Sequence, residues 1–244
     1  MRAIYEPRGR ALEYSPLACN LYTGCAHGCK YCYAPNSLKK KRDEFHADVR
    51  PRKGILEAVE KDCKRMKGDP RLILLCFHCD PYPPEGTCED VTRPALELME
   101  WHKMKVQVLT KGGERAIRDF DILARNKGWA FGSTIIFASE ELRLKWEPFA
   151  ASLGSRVKAV VEAQRRGVPT WVSVEPVVDA NQALEVIVTL VNHVDLWKLG
   201  KLNHDPEREA QTDWVRYLAE VERLLKGREY VVKKDLLKAA GRSG

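Results

Sequence analysis

The chain has 244 residues, with 41 Lys+Arg against 34 Asp+Glu and a formal net charge of +7. Hydrophobic residues make up 44% and charged residues 31%, too apolar a balance for a disordered chain. The densest apolar run, 72–77, is far short of the roughly 18 residues a membrane helix needs, and Met1-Arg-Ala-Ile-Tyr-Glu-Pro has no signal-peptide core. The expectation is therefore a mildly basic, soluble, cytoplasmic protein with no membrane partner.

Along the chain, short apolar runs alternate with helical patterns. Strands are predicted over 17–23, 71–79, 105–110, 130–137, 170–177 and 194–199, with a further candidate at 229–233. Helices are predicted over 54–66, 93–102, 116–125, 156–166, 180–192 and 209–226. The Gly167-Val-Pro169 break separates one helix from the next strand. This β–α alternation yields a parallel sheet. There is no internal repeat and no clear linker, so the chain reads as one domain: an arm over 1–16, a barrel core over 17–200, and a C-terminal helix with a closing segment over 201–244.

Eight cysteines stand out, at positions 19, 25, 29, 32, 63, 76, 79 and 88. In a chain expected to stay in a reducing compartment, metal or catalytic use outranks disulfides. Three of them form Cys25-x3-Cys29-x2-Cys32 on a loop that carries Gly24 and Gly28. Thiolates suit iron–sulfur clusters or zinc. Three on a short loop can hold three corners of a cubane and leave one iron open, whereas structural zinc wants four ligands. Cys19 is a candidate fourth ligand, although its spacing of six is irregular. Unliganded thiols are the bland alternative.

With Tyr31 before Cys32, the pattern resembles the C-x3-C-x-aromatic-C hallmark of the radical S-adenosylmethionine (radical SAM) superfamily. The longer stretch Asn20-Leu-Tyr-Thr-Gly-Cys-Ala-His-Gly-Cys-Lys-Tyr-Cys-Tyr-Ala34 is similar to the spore photoproduct lyase-like branch. Further matches follow in order: Cys79-Asp-Pro-Tyr-Pro-Pro84, Thr92-Arg93, Leu109-Thr-Lys111, Arg118-Asp119, Ser133 and Glu147-Pro148. Cys79 stands where that branch usually has Ser or Thr. The resemblance implies an α/β fold, the partial (β/α)6 TIM-like barrel of the radical SAM type, with its chemistry at the C-terminal ends of the strands. It implies a [4Fe-4S] cluster on Cys25, Cys29 and Cys32 that cleaves S-adenosylmethionine reductively. The resulting 5′-deoxyadenosyl radical would abstract hydrogen from a substrate. It also implies a one-electron reductant of the flavodoxin or ferredoxin type. The substrate reading is a nucleic-acid base or lesion; a small molecule or peptide is the alternative, and a non-catalytic metal-cluster binding protein a third.

The resemblance also suggests roles, each with a plainer counterpart. Lys111 would pair with the methionyl carboxylate, or is a solvated lysine. Ser133 would meet the ribose or carboxylate, or is a buried serine bonded to backbone. Asp80 would accept the methionyl amine or orient the loop, or is a turn residue before Pro81. Tyr31 would pack beside the adenine, or anchors the loop. Glu175 shares a strand face with Trp171 and Ser173 by the period of two; it would contact ribose hydroxyls or substrate, or forms an ion pair with a basic helix. Lys198, Lys201 and Asn203 would read an anionic substrate, or are solvated.

Cys79, or Cys76, is a candidate hydrogen-atom donor. A second metal held by Cys76, Cys79 and Cys88 with Cys63 or His78 is disfavoured, because 76 and 79 point to opposite faces of a regular strand. The basic run Lys39-Lys-Lys-Arg42 and Arg50-Pro-Arg-Lys53 follows the cluster loop and would attract phosphates, or is a solvated face.

Overall fold

The apolar runs of the sequence lie side by side in one sheet. The computed structural model describes residues 2–203 and 205–242, and its eight strands follow chain order across the sheet. The edge strand β1 (Ile4–Tyr5) pairs antiparallel with β2 (Leu17–Cys19). From β2 onward every neighbour is parallel: β3 (Leu72–Leu75), β4 (Lys105–Thr110), β5 (Ala130–Thr134), β6 (Thr170–Val177), β7 (Leu196–Lys201) and β8 (Glu229–Val232). The six core strands β2–β7 form the expected parallel partial barrel, and β8 extends it. Strands covered on both faces read as continuous apolar runs, as in β3, where Ile73, Leu74 and Leu75 are all fully buried.

Helices fill the crossovers. They are α1 (Ala34–Ser37), α2 (Arg42–Ala47), α3 (Ile55–Arg65), α4 (Thr92–Trp101), α5 (Phe120–Arg125), α6 (Glu140–Trp146), α7 (Leu153–Arg165), α8 (Ala180–Leu190), α9 (Pro206–Ala210), α10 (Trp214–Leu224) and α11 (Lys234–Ala239). In α3 the buried positions Ile55, Ala58, Val59, Asp62 and Cys63 trace one amphipathic stripe. The buried polar member of that stripe fixes β1, because Asp62 Oδ2 accepts the Ala3 and Ile4 amides at 2.7 and 3.0 Å. Among the described residues no helix is long and apolar enough to cross a membrane.

Several elements differ from expectation: the strand expected over 17–23 ends at Cys19, the one over 130–137 ends at Thr134, and the one over 194–199 runs instead over Leu196–Lys201. The strand expected over 71–79 stops at Leu75, because the Asn20 side chain claims the next amides: its Oδ1 accepts from both Phe77 and His78 at 2.8 Å. Positions 76 and 79 are therefore not on opposite faces of a strand, and both thiols line one cavity. The helix expected over 116–125 begins as a 3₁₀ segment, Gly113–Asp119, before α5. The helix expected over 209–226 divides into α9 and α10, with the Asp213 side chain capping α10 by accepting from the Arg216 amide.

The two ends of the sheet, β1 and β8, are not paired with each other among the described residues. Chain segments close this seam. Arg10 Nε lies 2.7 Å from Asp235 Oδ2, and Glu13 accepts the Lys234 amide at 2.9 Å. The Tyr14 carbonyl reaches into the barrel, where Gln107 Nε2 and Lys198 Nζ donate to it at 2.9 and 2.8 Å.

Candidate functional site

The loop after β2 is held from outside by α2. Arg42 Nη1 donates to the Cys29 carbonyl and Nη2 to the Cys32 carbonyl, both at 2.9 Å. His46 Nδ1 lies 2.7 Å from the Cys25 carbonyl oxygen. All three cysteine carbonyls are thus occupied, and the three thiols line one wall of a cavity of about 540 Å³, a size suited to a small ligand. Gly24 is required by close approach: a Cβ there would stand 2.4 Å from the Phe45 carbonyl oxygen and 2.6 Å from that of Asp48. Burial pushes the Cys25 thiol well up and the Cys29 thiol to about 12; Cys32 is also raised by burial, while Lys111 pulls Cys29 and Cys32 the other way.

Two buried carboxylates back this wall. Asp80, after β3, accepts the Thr110 hydroxyl at 2.6 Å, the Tyr82 amide at 2.8 Å and the Lys111 amide at 2.7 Å, with His27 Nε2 3.0 Å away. Burial alone would raise this carboxyl; His27 and the hydrogen bonds outweigh it and hold Asp80 at about 2. Glu147 accepts the Tyr31 hydroxyl and pairs with Arg156 Nη1 at 2.5 Å. Burial opposes its charge, but Arg156 and Lys111 keep the carboxyl below its ordinary value.

Lys111 completes the wall. Its ammonium sits 5.5 Å from the centre of the Tyr31 ring and has no hydrogen-bond partner among the described residues. Burial disfavours its charge; Cys29 and Glu147 outweigh that and keep it protonated.

Of the residues predicted from the sequence, Cys25, Cys29, Cys32, Tyr31, Cys79, Asp80, Lys111, Glu175, Lys201 and Asn203 all line this cavity. Ser133 and Lys198 lie outside its lining. Ser133 is fully buried in β5, with its hydroxyl 3.3 Å from the Thr110 carbonyl. Lys198 is buried against Trp171, its ammonium 4.3 Å from the ring centre. Lys201 is paired with Glu209. Glu175 is held by Tyr14 and Lys233. Sequence reasoning assigned no role to Arg156, Tyr14 or Lys233, and it met His27 and Thr110 only inside the matched stretches 20–34 and 109–111. The Glu147-Pro148 match was a signal for Glu147; Arg156, Tyr14 and Lys233 carry none without their distant partners.

No protein-family model matches the chain. An uncharacterized protein of Methanocaldococcus jannaschii is 25% identical over 170 residues, 69% of this chain and 63% of the relative. An uncharacterized protein of Acidianus two-tailed virus is 27% identical over 179 residues, 69% of this chain and 58% of the relative. The chain thus spans about three-fifths of these curated relatives. Among solved structures, a cysteine-to-serine mutant of spore photoproduct lyase is 14% identical and superposes with a TM-score of 0.70 over 93% of this chain and 79% of that one. The fold is that of the radical SAM enzymes. Streptococcus suis SuiB bound to S-adenosylmethionine, 13% identical, shares the radical SAM fold with a TM-score of 0.67 over 91% of this chain and 48% of its own.

Three thiols on a pinned loop, with an open side toward a cavity and a lysine beside them, fit a thiolate-held iron–sulfur cluster that leaves one iron free for a small molecule. Cys19, the candidate fourth ligand, is buried in β2 and does not line the cavity. Among the described residues no three His, Cys, Asp or Glu side chains close on one point as ligands of a single metal ion would.

Proposed function

We propose that the protein is a radical SAM enzyme whose reaction takes place in the cavity between the cluster loop and the ends of β3, β4 and β6. The observation that carries this reading is the shared wall of Cys25, Cys29 and Cys32 with Lys111 beside them. When bound there, a [4Fe-4S] cluster with S-adenosylmethionine supplies a 5′-deoxyadenosyl radical for hydrogen abstraction.

The chain's own residues orient and shield. Lys111, held charged by its surroundings, is placed to meet a ligand carboxylate. Asp80 cannot turn toward a ligand amine without losing the Thr110, Tyr82 and Lys111 donors, so its role is to fix the Lys111 backbone and the loop through His27. Tyr31 is tied to Glu147 and offers its ring face rather than its hydroxyl. The buried Cys79 thiol lines the same cavity and is the candidate hydrogen-atom donor. A small acidic electron carrier of the flavodoxin or ferredoxin type would supply the electron.

For the substrate, we favour a nucleic-acid base or lesion. Ala34 and Ser37 of α1 line the cavity, exposed Tyr33 stands at its mouth, and the basic run 39–42 follows immediately on the surface. An aromatic beside cations suits a base and its phosphates. Spore photoproduct lyase has been solved with a dinucleoside spore photoproduct; SuiB, solved with a precursor peptide, supports a peptide as the second reading.

Anaerobic reconstitution with iron and sulfide, reduction, and assay for 5′-deoxyadenosine and methionine test the enzymatic reading; a reduced cluster that leaves S-adenosylmethionine intact would sink it. Binding of a DNA or RNA oligonucleotide across rising salt tests the substrate. A phosphate-driven complex weakens with a steep log–log slope, and no binding at low salt removes nucleic acid.

A further inference from the structure

Two cysteines outside the loop of Cys25, Cys29 and Cys32 face the cavity. Of Cys19, Cys63, Cys76, Cys79 and Cys88, only Cys76 and Cys79 line it. Both follow β3, on the segment where Asn20 Oδ1 accepts the Phe77 and His78 amides at 2.8 Å. That curl turns the two thiols toward the same side. The Tyr22 amide donates to Cys79 Sγ at 3.4 Å, and the amide next to it in the chain, that of Leu21, donates to Cys76. Two sulfurs held by adjacent amides are neighbours, and the Cys76 thiol is hydrogen-bonded to Cys79.

The surroundings separate the two roles. Burial pushes the Cys76 thiol well up, and its hydrogen bond to Cys79 adds to that, so Cys76 keeps its proton. Cys79 Sγ instead receives donors, from Tyr22 and from Cys76. Donors aimed at a sulfur suit the thiolate, the attacking form in thiol–disulfide exchange. A nucleophilic thiol with a second thiol in reach is the arrangement of a reversible dithiol, in which the second resolves the bond formed by the first.

We propose that Cys76 and Cys79 are a redox-active dithiol that closes to a disulfide in the cavity wall by exchange with a small disulfide. The Cys79 sulfur attacks one sulfur of the oxidant and the oxidant's S–S bond breaks. Its first half leaves as a thiol, with the proton that Cys79 gave up. Cys76 then attacks Cys79 Sγ, the mixed disulfide breaks, and the second half leaves with the Cys76 proton. The dithiol loses two electrons and the oxidant becomes two thiols, so excess thiol reopens the ring. Because the disulfide has no S–H bond, Cys79 is a hydrogen-atom donor only in the reduced state, a consequence that rests on the radical SAM reading.

Bis(2-hydroxyethyl) disulfide, compact enough to enter a cavity of about 540 Å³, is the probe. It is applied without air to the full chain carrying Cys25→Ala, Cys29→Ala and Cys32→Ala, with circular dichroism reporting folding. After acid quenching and alkylation, fragment mass spectra should show Cys76 and Cys79 joined, two hydrogens lighter, and Cys19 and Cys63 alkylated. Closure should be at least about tenfold faster than in the same chain unfolded in urea, where spacing alone brings the thiols together. Cys76→Ser should stop at a mixed disulfide on Cys79, and Cys79→Ser should slow the reaction of Cys76 about tenfold or more. If the triple variant does not fold, the wild-type chain gives the same reading, because trypsin places Cys76 and Cys79 on a different peptide from Cys25, Cys29 and Cys32.

A mixed disulfide that persists on Cys79 while Cys76 stays free overturns the proposal. So does a bond from Cys79 to any other cysteine, equal closure rates in the folded and unfolded chain, or modification of Cys88 with both cavity thiols untouched. None of these measurements involves a cluster or S-adenosylmethionine. A chain that closes the disulfide but never forms 5′-deoxyadenosine would sink the enzymatic reading alone; one that forms 5′-deoxyadenosine and never closes it would sink the dithiol alone.

Discussion

Arg156 and Glu147 form an ion pair that is sealed from solvent: Nη1 lies 2.5 Å from Oε2, and the two side chains are 1% and 0% exposed. Arg156 also donates to the carbonyls of Thr134 and Ala151 at 3.1 and 2.9 Å, while Glu147 holds Tyr31 of the cluster loop. The pair thus ties α7 and the end of β5 to the loop. A charge left behind by removing one partner has nowhere to be solvated. Arg156→Met should therefore cost about 3–5 kcal/mol of stability, measured by urea unfolding of the metal-free chain. Glu147→Gln keeps the shape and the Tyr31 contact but strands the guanidinium. It should fall in the same range, and a loss below about 1 kcal/mol in both variants would show that the pair is not what fixes the loop.

Lys198 provides a pH prediction of unusual sign. Burial, with Lys233 adding repulsion, lowers its ammonium to about 8, against about 10.4 in an unfolded chain. Between those values the folded state has released a proton that the unfolded state still binds, so stability rises with pH there. Below pH 8 the folded state carries the full cost of the buried charge. The gain from about pH 8 to about 10.4 is about 3 kcal/mol at one side chain. It should appear as the difference between the wild-type and Lys198→Met stability profiles, measured by chemical unfolding at fixed ionic strength. Parallel profiles would mean that the Tyr14 carbonyl and the Trp171 ring stabilise the charge enough to cancel its burial.

How much of this could be read from the chain alone depends on the range of the contacts. Strands β4 and β6 coincide with the expected runs 105–110 and 170–177, because central parallel strands are buried on both faces and read as mostly apolar, even with Gln107 and Ser173 buried within them. The cysteine loop stood out in the sequence for a different reason: its three thiols, proposed here to hold one group, sit close together on one short stretch, from Cys25 to Cys32. Glu175 was visible at the end of its strand, but its partners were not. Tyr14 is 161 residues away in sequence and Lys233 58, and neither carries a local pattern that marks it. The strand expected through position 79 failed because a single side chain, Asn20, takes its amides, a contact that periodicity does not encode.

Arg42 is the outer support of the loop that carries Cys25, Cys29 and Cys32. Its two charge-assisted hydrogen bonds to the Cys29 and Cys32 carbonyls fix the backbone from which two thiols project. Because the side chain is on the surface, Arg42→Met should cost only about 1–2 kcal/mol of stability. Its larger effect should be on metal retention. After anaerobic reconstitution, iron content per chain should start near that of the wild type and fall faster during gel filtration with a chelator. Identical loss rates would assign the loop geometry to His46 and the Gly24 approach instead.

Substitution of Lys111 should separate cofactor binding from cluster assembly. Its ammonium has no protein hydrogen-bond partner among the described residues and stands beside the cluster thiols over the Tyr31 ring, so it is available to a ligand carboxylate. Its backbone amide, not its side chain, is what Asp80 uses. Truncating the side chain should therefore leave the Asp80 network and the loop in place. Lys111→Ala is expected to retain the cluster's visible absorbance while weakening S-adenosylmethionine binding about ten- to a hundredfold, the loss of one charge-assisted contact. Lys111→Arg should recover only part of that affinity, because a planar fork in place of a compact ammonium changes the approach to the carboxylate. If Lys111→Ala fails to assemble the cluster, the lysine belongs to the electrostatics of the thiolates rather than to the cofactor, and the carboxylate site must be sought elsewhere along the cavity wall.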